Sequence, residues 1–371
     1  MKKLDYYILK QFVKNFLFGL LSFLIIFVLV DLFENLDKFI DNNLNFEVIF
    51  TYYIYFTPEI IKLITPVAML LSTLFTVSRF NSYSEMTAIN SAGISYFRFS
   101  YTLIAFGILV TLLSVYFNGW VVPKSNSSKL NFERTYLKKN LISGTIQNLH
   151  IQDSENRILV IGNYNESDKT GLNVSYQIFS DENPSKMISR FDIKSMKWDS
   201  LKTDWKFMNT LKREFDSLNS ENFIILDTIY ASEIPEIKKI YISPSQIIKK
   251  QLKPDEIMLP DLKEFIDTME ESGQTVLKAK VDYYSKISFP FANIITILFG
   301  LSFNAHKRKG SAALQFGISI LITFIYLGFI KISQTFGYNG DINPLLTAWM
   351  ANILFFTISL INLFKESVLK K

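Results

Sequence analysis

Six long apolar stretches constrain this chain more than any other feature of its sequence. Four of them contain no charged residue: Phe99–Val122, Ile287–Ala305, Ala312–Ile330 and Ile342–Phe364. The other two are Phe16–Phe33, with Asp31 near its end, and Tyr52–Ser78, which contains Glu59 and Lys62. A helix needs roughly 20 apolar residues to cross a bilayer core of about 30 Å. Each stretch therefore predicts a transmembrane helix.

A polar segment separates these stretches into two groups of three. The pattern predicts an α-helical membrane protein with six transmembrane helices and an inserted domain. We expect spans 1–3 in residues 1–123, the inserted domain in residues 124–283, and spans 4–6 in residues 284–371. The first apolar run begins after four lysines and has no small-residue cleavage site, so we expect a retained span rather than a cleaved signal.

The charges outside the insert predict the orientation. One side carries Lys2, Lys3, Lys10, Lys14, Arg79, Arg98, Lys307, Arg308, Lys309, Lys365, Lys370 and Lys371. Its acids are Asp5, Glu85 and Glu366. The other side has Lys38, Lys62 and Lys331 as its bases, against seven acids. Basic residues concentrate on the cytoplasmic side of membrane proteins. Both termini are therefore expected in the cytoplasm of a bacterial inner membrane protein, and the insert outside it.

Composition narrows the classes of chemistry. The chain has no cysteine, and its two histidines are His150 and His306. Disulfides, thiolate metal sites and a histidine-rich metal site are therefore not expected, and neither is any cofactor. Residues 123–286 hold 24 basic and 24 acidic residues. Such a balanced domain has no electrostatic reason to bind nucleic acid.

Sequence motifs disfavour several enzyme and transporter classes. The chain contains no G-x-x-x-x-G-K-[ST], G-x-S-x-G, H-E-x-x-H or G-x-G-x-x-G pattern. Spans 3 to 6 have almost no charge within the membrane, which disfavours an ion-coupled transporter. In span 2, Glu59 and Lys62 are three residues apart and can pair on one helix face; the alternative is that both lie at the membrane interface.

The insert is predicted to be mainly β. Arg157–Tyr164, Val174–Phe179, Met187–Trp198, Trp205–Phe215 and Phe223–Tyr230 are short runs rich in β-branched and aromatic residues. Regular short strands favour a sandwich or jelly roll. We also expect Trp198 and Trp205 to flank a hairpin turn, a helix over Ser125–Lys139, and a second helix over Pro254–Gly273 with Gly273 as its C-terminal cap.

The most informative short stretch is Arg79–Arg98, the cytoplasmic link between spans 2 and 3. It predicts a short helix between Ser82 and Ala92, capped by Gly93. Ser82-x-x-Glu85 fits a capping box, in which Glu85 satisfies its own helix end. Alternatively, the link is a coupling helix that docks on a cytoplasmic partner, with Glu85 offered to a partner arginine.

These residues carry a family resemblance. Pro66–Arg98 resembles the LptF/LptG permease family of lipopolysaccharide export, which shows a proline-led span followed by a Ser-Glu-x-x-Ala link. Leu4-Asp5-x-Tyr-Ile, Asn118–Pro123, Tyr284–Ile287 and Leu301–Phe303 resemble further family segments. Additional similar positions are Ser272, Gly273, Gln274, Pro290, Phe336 and Gly337. The N-terminal and span 4 matches are more similar to the LptG type.

The resemblance implies a periplasmic β-jelly roll and a non-catalytic subunit that works with several partners. These are a second LptF/LptG-type permease, an LptB-like cytoplasmic ATPase dimer, an LptC-like single-span protein and a periplasmic bridge protein. Lipopolysaccharide would enter between span 1 of one permease and span 5 of the other. Glu85 matches the family's coupling-helix glutamate. The coupling residues implied are Arg79, Ser82, Glu85 and Gly93.

Two further sites follow from this implication. The lysines of the outer side, Lys38, Lys62 and Lys331, are candidate contacts for lipid phosphates. The LptG type often carries more basic residues after span 1, where this chain has Asp31, Glu34 and Asp37. In the insert, inward-facing Ile158, Val160 and Ile178 would line an apolar groove for acyl chains; alternatively, they only fill the domain core.

Two alternatives have a different function. A permease of another lipid or lipoprotein exporter usually has four spans, and a membrane-anchored scaffold does not need six. Both therefore fit the pattern of apolar stretches less well than lipopolysaccharide export does.

Overall fold

The computed structural model describes residues 3–137, 145–181, 183, 185–215, 221–237, 240, 242–271, 273–304 and 312–368. The expected features at Lys2, Lys139, Ser272, Ala305, His306, Lys307, Arg308, Lys309, Lys370 and Lys371 lie outside these residues. The chain forms two compact units. One comprises residues 1–137, 254–259 and 277–371, and the other comprises residues 138–253 and 260–276.

The first unit is helical and confirms the prediction of six spans. Among the described residues, six helical segments are long and apolar enough to cross a membrane. The helices are α1 (Lys3–Asp41), α2 (Phe46–Ser82), α3 (Glu85–Ser91), α4 (Tyr96–Tyr116), α5 (Val122–Tyr136), α8 (Leu277–Ser288), α9 (Ala292–Asn304), α10 (Ala312–Asn339) and α11 (Pro344–Val368). A π-helical turn at Phe117–Val121 joins α4 to α5, and a 3₁₀ turn at Phe289–Phe291 joins α8 to α9. The expected helix after span 3 is therefore present as α5.

Helix α2 is the central element of the helical unit. In the most apolar part of α2, 72% of the residues are buried, whereas in the corresponding part of α1 only 11% are buried. It packs against α1, α5, α9 and α10. Pro58 and Pro66 lie inside α2 without ending it. Prolines are tolerated within membrane helices when neighbouring groups satisfy the freed carbonyls.

The second unit is built on an antiparallel sheet. Its strands are β1 (Thr145–Ser154), β2 (Arg157–Asn165), β3 (Thr170–Phe179), β4 (Met187–Asp199), β5 (Asp204–Phe215) and β6 (Glu221–Tyr230). The five predicted strands are confirmed, and β1 was missed. Trp198 pairs with Trp205 across the β4–β5 hairpin, with ring centroids 5.1 Å apart, as expected.

The predicted fold class, a helical membrane protein with an inserted β domain, is confirmed, and the connectivity of the described strands is simple. The described strands form one six-stranded sheet in the order β1-β2-β3-β4-β5-β6. A jelly roll would divide them between two packed sheets with long crossing connections. Here, one face of the single sheet is covered by the irregular segment after β6 and by α7 (Leu259–Glu271). The residues that cover it include Ile234, Ile237, Ile242, Phe265 and Met269.

Two further sequence predictions concern the segment before span 4. The helix expected over Pro254–Gly273 is present as a 3₁₀ turn at Pro254–Glu256 followed by α7. Gly273 has a φ of +71°, and its amide donates to the Glu270 carbonyl oxygen at 2.9 Å. Because only glycine adopts this conformation without strain, the predicted C-terminal cap is confirmed. A short helix, α6 (Pro244–Gln251), precedes this segment.

Candidate functional site

The predicted coupling link is a helix–turn–helix connection at one end of the helical unit. Helix α2 ends at Ser82, the seven-residue α3 follows, and α4 begins after Ser95, whose hydroxyl accepts from the Arg98 amide at 3.3 Å. Gly93 has a φ of +79°, and its amide donates to the Asn90 carbonyl oxygen at 3.0 Å. The expected role of Gly93 at the end of the short helix is confirmed.

The capping box predicted at Ser82 and Glu85 is wrong. Ser82 is the last residue of α2, and Ser84 precedes α3 in the left-handed conformation, with a φ of +57°. The side chain of Ser84 makes no capping hydrogen bond within the described part of the chain. The helix begins later than predicted because α2 continues through Ser82. Glu85 is therefore the first residue of α3, rather than its third.

Glu85 instead interacts with the first membrane helix. Its Oε1 accepts a hydrogen bond from the Tyr7 hydroxyl at 3.2 Å. Met86, the next residue, is 6% exposed and packs in a core cluster with Phe80 and Phe99. This contact fixes α3 on the bundle and leaves Thr87, Ala88 and Asn90 exposed. The short helix thus presents a small polar surface with one carboxylate beside it.

Arg79 also contacts α1. Its guanidinium donates to the side-chain oxygen of Gln11, and its Cζ lies 5.8 Å from the centroid of the Tyr83 ring. Sequence reasoning missed Tyr7 and Gln11 as partners of the link. Both residues lie in an apolar N-terminal helix. Nothing in its sequence indicates that they contact residues 79–98.

Two of the three outer lysines are exposed. Lys38 lies near the end of α1, and its ammonium donates to Asn35 Oδ1 at 3.2 Å. Lys331 is exposed on α10. Asp31, one of the acids that departs from the LptG type, accepts a hydrogen bond from the Tyr53 hydroxyl at 3.1 Å. This carboxylate is therefore engaged within the helical unit.

Of the two alternatives for Glu59 and Lys62, pairing with each other is not what the structure shows, because each charge has a different partner. Glu59 Oε2 lies 3.2 Å from the ammonium of Lys129 on α5, and Lys62 lies 3.6 Å from Asp255. Both charges find partners on other elements of the same unit. Pairing three residues apart on one helix contributes only about 0.2–0.5 kcal/mol, so partners on other elements readily compete with it.

Lys62 belongs to a set of cations that hold one short segment, residues 254–259. Arg134 of α5 lies 3.9 Å from Glu256, whose side chain is 3% exposed. Lys286 of α8 is buried and donates to the Ile257 carbonyl oxygen at 2.6 Å. Sequence reasoning missed this arrangement. The signal available in the sequence was a pair of adjacent acids, Asp255 and Glu256, directly after Pro254.

The three predicted groove residues do not share a face of the sheet. Ile178 is 8% exposed and belongs to the core, together with Leu159 and Ile161. Ile158 and Val160 alternate with Leu159 and Ile161 along β2, so they point to the opposite face and are half-buried there. The expectation that Ile158 and Val160 face the same side as Ile178 is wrong, and a role of these residues in binding acyl chains stays a prediction.

The chain is similar in sequence to known membrane proteins. The sequence model of the family described as "Lipopolysaccharide export system permease LptF/LptG" matches residues 6–365. A protein of Escherichia coli (strain K12), "Lipopolysaccharide export system permease protein LptG", is 21% identical over 320 residues, which are 84% of this chain and 83% of that protein. A Haemophilus influenzae protein with the same description is 21% identical over 274 residues, 72% of each chain.

Proposed function

Because this chain belongs to the LptF/LptG permease family of the lipopolysaccharide export system, we propose that it extracts lipopolysaccharide from the inner membrane and passes it to a periplasmic bridge. The observation that carries this proposal is the family match over nearly the whole chain, which spans both helical halves and the inserted sheet. The chain is a permease subunit and not an enzyme. Hydrolysis of ATP takes place in a separate subunit.

The link between α2 and α4 is the proposed docking site for that ATPase. Its exposed polar surface on α3 and the partly buried Glu85 fit a partner that offers an arginine, because guanidinium and carboxylate form strong, charge-assisted hydrogen bonds. The Tyr7 hydroxyl, 3.2 Å from Glu85, holds the carboxylate in place beforehand. Arg79 and Gly93 shape the two ends of the link, and Ser82 ends α2 within it.

The proposed orientation places this link and both termini in the cytoplasm and the inserted sheet in the periplasm. The basic residues of the helical unit support it, because they concentrate at the ends expected in the cytoplasm. The same orientation places Lys38 and Lys331 near the outer leaflet.

Lys38 and Lys331 are the proposed contacts for the phosphates of lipopolysaccharide. Both ammonium groups are on exposed side chains, and they lie on α1 and α10, the first and fifth spans. Lys62 is left out of this proposal because its side chain is only 18% exposed and its ammonium faces Asp255. The proposed assembly pairs this chain with a second permease, so that span 1 of one faces span 5 of the other. An LptB-like ATPase dimer, an LptC-like single-span protein and a bridge protein complete it.

Reconstitution tests this function. The full chain is purified with its native partners and placed in liposomes that contain lipopolysaccharide, and ATP-driven release of the lipid is measured. Glu85→Arg is expected to abolish release and to reduce the ATPase that copurifies, because it places like charges together at the dock. Glu47→Arg makes the same charge change at an exposed position near the other end of α2 and is expected to preserve both.

Two results would contradict the proposal. If the unsubstituted complex hydrolyses ATP without releasing lipopolysaccharide, the transport function is wrong. If Glu85→Arg releases lipid as fast as the unsubstituted complex, the docking role of Glu85 is wrong, although the transport function stands.

A further inference from the structure

The cytoplasmic end of α1 forms an ion pair with the far end of the coupling link. The Nη2 of Arg98, in the first turn of α4, lies 2.7 Å from both carboxylate oxygens of Asp5. The Thr102 hydroxyl donates to Asp5 Oδ1 at 3.2 Å. Asp5 is 8% exposed, so this carboxylate is buried between α1 and α4.

The near end of the link is also attached to α1. The Arg79 guanidinium donates to the side-chain oxygen of Gln11. One helical turn further, the Asn15 amide donates to the Thr76 hydroxyl at 3.0 Å. Thus Arg79 and Arg98, which bound the link at its two ends, both bond to the same helix.

A buried hydrogen bond and a ring contact reinforce this attachment. The Ser72 hydroxyl of α2 donates to the Phe12 carbonyl oxygen at 2.7 Å, and both residues are buried. The Phe12 ring packs edge-on against Phe106 of α4, with centroids 5.6 Å apart. Roughly the first four turns of α1 are therefore held between α2 and α4.

The outer part of α1 is much less enclosed. Its large apolar side chains beyond residue 20 are mostly exposed, among them Leu21, Ile25, Ile26, Val30 and Phe33. Two of the buried residues there, Phe23 and Phe39, pack against α2. The helix is thus held by both α2 and α4 at the end that carries the link, whereas at the other end it packs mainly against α2.

We propose that Asp5 and Arg98 are positioning residues that transmit movement of the coupling link into α1. This inference rests on the proposed function, in which the ATPase pulls on the link and α1 borders the path of the lipid. Separating the pair would leave the buried Asp5 carboxylate without its countercharge, so the pair resists separation when the link moves. With Gln11 and Arg79 at its other end, the link cannot move without carrying the cytoplasmic half of α1 along.

The test measures coupling rather than activity alone. The reconstituted complex carries Arg98→Gln, Asp5→Asn, or the swapped pair Asp5→Arg with Arg98→Asp. The readout is the amount of lipopolysaccharide released per ATP hydrolysed. Each single change is expected to lower this ratio by roughly fivefold or more, a usual size for coupling between sites. The swapped pair is expected to restore most of it. Lys10→Gln, which removes an exposed cation from the same end of α1, serves as the matched control and should leave the ratio unchanged.

Two outcomes would overturn the inference. Equal losses of hydrolysis and release in the single variants, with an unchanged ratio, would show a merely structural role and overturn it. A swapped pair no better than the single variants would show that Asp5 and Arg98 do not act together, which also overturns it. Because the swap retains both charges, it keeps the test decisive where a single variant assembles poorly. Absence of release by the unsubstituted complex would instead refute the proposed function.

Discussion

Lys38 and Lys331 are the two exposed lysines proposed as phosphate contacts. Lys38 donates to a neutral amide oxygen on its own helix, and both side chains are exposed. A lysine at the end of a membrane helix also reaches the interface without any ligand. Exposure alone therefore does not distinguish a lysine that binds phosphate from one that only reaches the membrane surface. Substitutions that reverse the charge distinguish the two roles.

We predict that Lys38→Glu and Lys331→Glu impair lipid release, with the double variant worst. A hydrogen bond to a charged group contributes about 1.5–3 kcal/mol, which corresponds to roughly tenfold or more in affinity. Release by the reconstituted complex checks the prediction, with the copurified ATPase expected to remain at its normal amount. Asp341→Lys adds a cation at an exposed position just after α10 and is the control for a general effect of charge. Normal release by the double variant would exclude this phosphate site.

Single residues also show where the sequence was insufficient. In β2, the run Ile158–Ile161 is apolar at every position, so it contains no alternation that distinguishes the core face from the opposite face. A shift of one residue moves each side chain to the other face of the sheet. For the same reason, the core position of Ile178 could be proposed, but its separation from Ile158 and Val160 could not. At Ser82, the sequence matched a capping box. Because α2 continues through Ser82, this residue cannot cap the helix that follows.

At the scale of helices and strands, the sequence was most informative where a pattern was long. All six spans and five of the six strands follow from apolar length or from β-branched and aromatic runs. Strand β1 was missed because its sequence, TIQNLHIQDS, is mainly polar and has no dense β-branched run. The strands pair in chain order, but their sequences did not indicate that they form a single sheet covered on one face by other segments.

Close helix packing gives a prediction at this scale. A methyl group added at Gly300 in α9 would lie 2.7 Å from Thr73 Cγ2 and 2.8 Å from Thr73 Cβ in α2. Thr73 is fully buried and donates to the Met69 carbonyl oxygen at 2.8 Å, so it has little room to move. We expect Gly300→Ala to destabilise the helical unit by about 1–3 kcal/mol, the usual cost of overpacking. The midpoint of thermal unfolding of the purified chain should fall accordingly.

Gly328→Ala is the matched control for this change. Gly328 lies within α10, and an added methyl group would meet no atom within 4 Å among the described residues. Alanine favours a helix over glycine by about 0.8–1.0 kcal/mol, so Gly328→Ala should leave the midpoint unchanged or raise it. Equal midpoints for both variants would mean that α2 and α9 do not pack this closely.

On the scale of the whole molecule, the charge distribution is the basis for orientation. Because each span crosses the membrane once, successive connections between spans lie on alternating sides. The basic residues are concentrated on one of these two sides. Such an asymmetry determines the orientation of membrane proteins during insertion. It predicts that the link at residues 79–98 and the inserted sheet lie on opposite sides of the membrane.

The absence of cysteine allows a direct test of this orientation. Leu201 at the β4–β5 turn is 97% exposed, and Asn90 on α3 is exposed as well. Each is replaced by cysteine in turn, and the only thiol in the chain is then labelled with a membrane-impermeant maleimide on intact spheroplasts. Leu201→Cys should react at once, whereas Asn90→Cys should react only after the membrane is permeabilised. The reverse pattern would place the sheet in the cytoplasm. The link could then not reach an ATP-hydrolysing partner, and the proposed direction of transport would fail with it.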